Sequence, residues 1–188
     1  LAAGGAAFVR GKRMDKKFGL NDTVMYGGHG VCTLVEIAEK DFGGESRAYY
    51  VLHPSYSGSS TFYVPIDSET LIAKMRHIKS ADEIRTLVRQ CRESTVEWID
   101  DDRMRQNRLK QVVDGGGTEH LMRAMKALLM QQERLAKAGK KLRAADDRFL
   151  KDVEKLLFEE LTLVFDMEKE DMLPFLLGQY EPSERAGA

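Results

Sequence analysis

The chain of 188 residues is poor in cysteine, proline and tryptophan, with two, four and one respectively, and has no apolar run of membrane length. Each shortage excludes something. Two cysteines far apart, Cys32 and Cys91, cannot frame a disulfide scaffold, and such usage points to a reducing, cytoplasmic setting. The absence of about 18 consecutive apolar residues predicts no membrane helix and no membrane partner. Residues 1–13 are Gly/Ala-rich and basic at their end, without the apolar stretch of a signal peptide. Residues 1–15 read as an upstream extension or a cloning remnant, with Met14 a native start. Catalytic motifs are missing too. The turn Gly27-Gly28-His29-Gly30 is followed by Val31-Cys32 and not by the Lys-Ser/Thr of a phosphate loop. His29 and Cys32 have ligand-like spacing, but zinc wants about four ligands, and the next candidates are His53, His77 and Cys91. Neither Gly-x-Ser-x-Gly nor His-Glu-x-x-His occurs. The expectation is a non-enzymatic protein with no catalytic residues, no cofactor, no metal and no small-molecule substrate.

What is present divides the chain in two. Residues 18–66 alternate apolar and polar in short stretches, at 22–26, 31–38, 49–52 and 61–65, separated by glycine-rich turns. In the second stretch Val31, Thr33, Val35 and Ile37 fall on one face. The last, Thr61 to Pro65, suits a sheet edge because proline cannot donate to a ladder. Short strands joined by tight turns predict a small Tudor/SH3-like β-barrel. From Ser80 the pattern becomes helical. Ser80 and Glu83 have the spacing of a capping box, and Ile84, Leu87, Val88 and Cys91 then form an apolar stripe. Further helices are predicted from Trp98 to Val113, from a Thr118 cap, from Ala145 to about Phe165, and, kinked by Pro174, around 172–177. The fold class is therefore α+β: a barrel at 16–72, a linker at 73–80, an all-helical domain at 81–179 and a disordered tail at 180–188.

The net charge of −1 conceals an asymmetry. Residues 85–143 hold 14 Lys/Arg against 8 Asp/Glu, whereas residues 144–180 hold 4 against 10. The basic half is either a nucleic-acid face or one side of intramolecular charge pairing. Trp98 is open to two readings as well. It is a core residue, or an exposed indole that wedges against bases while Arg103, Arg105, Arg108 and Lys110 hold phosphate. Asp100-Asp101-Asp102 opposes the second reading by repulsion.

Phe18 to Tyr26, His29-Gly30-Val31, Gly44, Tyr49 to Leu52 and Val64-Pro65 resemble the N-terminal module of CarD-like (CarD/CdnL) bacterial transcription regulators. The same module occurs in transcription-repair coupling factor. Trp98 with Arg103 and Arg105, the glycines at 115–117, the helix around 121–130, Gly139-Lys140-Lys141-Leu142 and the helix at 154–165 resemble that family's helical domain. The resemblance implies a Tudor-like domain that binds the RNA polymerase β subunit, and a helical domain that touches promoter DNA at the upstream edge of the bubble. It further implies a tryptophan wedge at Trp98 with a basic residue at Arg103, and a polymerase contact at Lys40. Gly27 stands where the family has proline, Tyr63 where it often has a basic residue, and Asp100-Asp101 where it often has arginines. The candidate DNA contacts are Trp98, Arg103, Arg105, Arg108, Lys140 and Lys141, with binding weak and largely independent of sequence. The candidate polymerase contacts are Lys40, Arg47, Thr61, Phe62, Tyr63 and Pro65. The alternative is a protein-binding adaptor whose helical domain docks a protein and buries Trp98.

Overall fold

The computed structural model describes residues 17–44, 46–56 and 58–185. The expected extension at residues 1–15 lies outside them. The N-terminal half is an antiparallel sheet of β1 (Thr23–Tyr26), β2 (Val31–Asp41), β3 (Ser46–Pro54), β4 (Phe62–Pro65) and β5 (Met75–His77), in the order β4-β3-β2-β1-β5. A short helix, α1 (Glu69–Ile72), joins β4 to β5. No ladder joins β4 to β5 among the described residues, so the closed barrel is corrected to an open sheet. Ile66, Leu71 and Ile72 pack against the sheet core instead. The stretch 73–80, read as a linker, thus supplies the second edge strand, β5.

The strand predicted at 31–38 changes phase midway. Leu34 pairs with Leu52 but Glu36 pairs with Val51, which leaves Val35 as the extra residue of a β-bulge. A bulge switches the faces of the residues that follow. Cys32 and Leu34 are therefore buried in the sheet core with Ile37 against it, while Val35 is exposed. The single face of Val31, Thr33, Val35 and Ile37 does not form.

The helical half comprises α2 (Ala81–Glu93), α3 (Asp102–Gly115), α4 (Thr118–Lys137), α5 (Ala144–Val164) and α6 (Lys169–Leu176). The capping box forms as expected: Glu83 N donates to Ser80 Oγ, and Ser80 N to Glu83 Oε2 at 2.9 Å. The helix predicted from Trp98 begins at Asp102 instead. Asp101 caps it by accepting from Met104 N at 2.7 Å, which places Trp98 in the preceding connection. Thr118 is the first helical residue of α4 rather than its cap; Gly117 holds that position. The tail is corrected for its described part. β7 (Ser183–Glu184) pairs with β6 (Phe165–Asp166), and Arg85 holds Glu181 and Glu184 at 2.6 Å each.

Two apolar clusters result. One lies within the sheet around Phe18, Val24, Leu34, Tyr50, Leu52 and Val64. The other lies among the helices around Leu121, Leu128, Val153, Leu157 and Phe175, and it takes in Met25 and Val31 from the sheet. Two neighbouring carboxylates of α5 complete the joint between them. Glu160, 0% exposed, receives Arg76 Nη1 and Nη2 at 2.6 and 2.8 Å, the Lys79 amide at 3.3 Å and the Thr118 hydroxyl at 2.9 Å. Glu159 accepts from Val31 N at 3.0 Å. Buried carboxylates are tolerated only with such partners. Glycine makes the approach possible. Gly27 (φ +47°) would bring a Cβ to 2.5 Å from the Asp114 carbonyl, and a Cβ on Gly30 (φ +81°) would collide with the Glu159 carboxylate.

Candidate functional site

Residues 94–101 cross from α2 to α3 with both ends tied down. At the start, Lys126 Nζ donates to the carbonyls of Cys91, Arg92 and Ser94 at 2.8, 3.0 and 2.7 Å, closing the C-terminal end of α2. At the far end, Arg105 Nη1 donates to the carbonyls of Ile99 and Asp100 at 2.7 and 3.3 Å. Arg105 Nε and Nη2 each meet the Asp146 carboxylate at 3.0 Å, and Nη2 also meets Asp102 Oδ1 at 2.6 Å. All five N–H groups of this guanidinium are engaged. Its carbon lies 4.5 Å from the centroid of Trp98, a cation–π distance.

This geometry corrects the role expected for Arg105. At 4% exposure, with every donor used, it has nothing to offer a phosphate; it is an internal support for the indole. The Asp triplet has also been given other work. Asp101 caps α3, and Asp102 binds Arg105 and Arg143. Trp98 itself is half-buried, packed against the helical core on one side. Two adjoining clefts, of about 180 and 260 Å³, share Val96, Trp98 and Ala127 in their walls. Arg103, Arg108, Lys140 and Lys141 are exposed. None of these four side chains has a hydrogen bond or ion pair with another described residue.

The sheet carries the second candidate surface. β4 is an edge strand with one neighbour, β3. Alternation along it points Tyr63 outward at 42% exposure, while Val64 is buried in the core. Phe62 is half-buried, with its ring 4.2 Å from His29 and 5.8 Å from Tyr26, so the strand can offer its backbone there but not that ring freely. Pro65 is half-buried, and Thr61 is exposed with its hydroxyl 3.2 Å from His53 Nε2. Lys40 and Arg47 face each other across β2 and β3, with Lys40 3.8 Å from Glu36. Beside them is a residue the sequence reading missed. Phe42 is 62% exposed and makes edge-on contacts with Tyr49 and Tyr63 at 5.3 and 5.0 Å. Its signal was a large aromatic directly before the hairpin glycines Gly43-Gly44, where Asp41 Oδ1 accepts from both amides.

Burial, then Lys74 and Lys155, holds the His29 pKa below its usual value. Burial and then the Glu159 charge push the Cys32 thiol up to about 12, so it stays protonated. Among the described residues no group of three or more His, Cys, Asp or Glu side chains could hold a metal ion. No described helix is long and apolar enough to cross a membrane.

Comparison with curated proteins finds no match. Comparison with family models finds one, the CarD-like/TRCF RID domain, over residues 18–78. The matched span begins at Phe18, contains all five strands of the sheet, and ends just past β5. The N-terminal sheet module of this chain thus matches the model of the CarD-like/TRCF RID domain, over about a third of the chain.

Proposed function

We propose that the protein is a non-enzymatic transcription regulator that binds the RNA polymerase β subunit through its sheet and contacts promoter DNA through its helical domain. The polymerase half is supported by the family match, since RID domains are protein-interaction modules that engage that subunit. The DNA half is carried by one observation: a half-buried indole clamped by a saturated arginine, with Arg108, an exposed cation that has no partner among the described residues, on the wall of its cleft. A clamped aromatic loses little freedom on contact, which suits it to press against a base at the upstream edge of the bubble. Arg103, Arg108, Lys140 and Lys141 would supply phosphate contacts. Four such contacts imply weak, salt-sensitive, largely sequence-independent binding. By favouring the melted promoter over the closed one, the protein would shift a population rather than read a sequence. The half-buried state of Trp98 supports this reading over an adaptor with the indole in its core.

The test is a comparison of open-complex lifetimes with the wild-type protein and with Trp98→Ala. Stacking is worth roughly 1–3 kcal/mol, so the variant should shorten the lifetime by about fivefold or more while still binding the isolated β subunit. An unchanged lifetime with a folded variant would refute the DNA half, and loss of wild-type binding to the β subunit would refute the other.

A further inference from the structure

We propose that the trough along α4, on which Trp98 sits, is a binding site for a single strand of nucleic acid. The proposal rests on the reading of Trp98 as a base-contacting residue and names the form of its ligand. The first of the two clefts opens toward the N-terminal half of α4, where His120 and Arg123 lie, with Arg108 of α3 on its wall. The second opens toward the C-terminal half, at Gln131 and Arg134. Trp98 and Ala127 belong to both, so the indole stands where the two meet. From position 120 to position 134 an α-helix advances about 21 Å, a span on the order of four nucleotides, the lower end of single-strand sites.

Size and chemistry select the occupant. Each cleft falls below the roughly 300–1,000 Å³ of small-molecule sites and suits one planar ring. The small side chains of Ala124 and Ala127 leave that room beside the indole. In the first cleft Arg108 and Arg123 outnumber Glu97, Arg105 being saturated, and in the second Arg134 stands opposite Asp100. Paired bases cannot enter such recesses without leaving the stack, whereas those of a single strand can. Arg105 holds the indole in place, so the clefts exist before any ligand arrives.

Trp98 is the only tryptophan, so its fluorescence reports the site directly. The full chain is titrated with short oligo(dT), with a duplex of the same length, and with polyglutamate. Oligo(dT) should quench the emission and bind at least tenfold more tightly than the duplex. The double variant R123A/R134A, both exposed positions, should weaken oligo(dT) binding about tenfold and duplex binding less than twofold. Equal affinity for strand and duplex, equal losses on both in the variant, or equal quenching by polyglutamate would each overturn the proposal. Open-complex lifetimes separate its failure from that of the parent reading. If Trp98→Ala still shortens them while oligo(dT) fails to bind, the trough is wrong and the regulator stands.

Discussion

Arg76 and Glu160 are 84 positions apart, yet they meet in a two-bond ion pair at 2.6 and 2.8 Å that ties the last strand of the sheet to the longest helix. The carboxylate is fully enclosed and the guanidinium is partly open to solvent. Such a pair adds little net stability over an apolar one, but breaking it is costly, because the partner is left buried and unpaired. It therefore acts on geometry more than on stability: it fixes how the sheet and the helices face each other.

Arg76→Met should accordingly destabilise the protein by about 3–5 kcal/mol, since it strands the Glu160 charge. The double change Arg76→Met with Glu160→Gln should recover part of that loss. Urea unfolding of the full chain measures both, and a single variant within 1 kcal/mol of wild type would show that the joint is held elsewhere.

Asp146→Asn should act on the indole from a distance. It removes one of the two carboxylate charges that face the buried Arg105, leaving Asp102, and should cost about 1–3 kcal/mol. With Arg105 loosened, the Trp98 emission should move to the red and its anisotropy should fall at temperatures where the variant is folded. An unchanged emission spectrum would mean that Arg105 does not position the ring.

Phe42→Asp and Tyr63→Asp test the polymerase face. Both rings are exposed, so melting should shift little, with stability within about 0.5 kcal/mol. Anchoring aromatics at interfaces are worth about 2 kcal/mol or more, so affinity for the β subunit should fall at least tenfold. Binding to oligonucleotides should not change. Retained affinity in both variants would move the docking surface off this edge.

Alkaline titration checks the core of the sheet. Burial pushes the Cys32 thiol of the folded chain up to about 12, from an ordinary value of 9.0, and Tyr26 and Tyr50 are raised in the same direction. Above pH 9 the unfolded chain therefore holds fewer protons than the folded one, so stability falls as pH rises from 9 toward 12. Cys32→Ala should flatten the lower part of that slope. Denaturation at pH 8 and 10.5 gives the comparison, and identical slopes would contradict the enclosure of the thiol.

Helix existence was legible because periodicity and caps are local. Ser80 and Glu83 announced α2, and the apolar stripes announced α4 and α5. Edge placement of β4 was legible from Pro65. What escaped depends on partners distant in sequence. The bulge at Val35 is visible only against β3. β5 is three residues long and gains its identity from pairing with β1. Arg105 had the spacing of an exposed cation, and the buried Asp146 that helps take it inside lies 41 positions on. Glu159 and Glu160 likewise read as solvated charge until Val31, Arg76 and Thr118 converge on them. Phe42 was passed over because hairpin tips are expected to be polar.

The turn at Gly27 has an implication for exchanging parts between related proteins. A proline holds φ near −65°, and Gly27 sits at +47° against the Asp114 carbonyl of α3. A relative's sheet with proline at this point could not be grafted onto these helices as it stands. Its turn would have to relax away from α3 and take with it the register on which Val31 meets Glu159. Sheet and helices in this chain are matched parts, and the turn that matches them sits between Tyr26 and His29, whose rings touch Phe62 of the β4 edge.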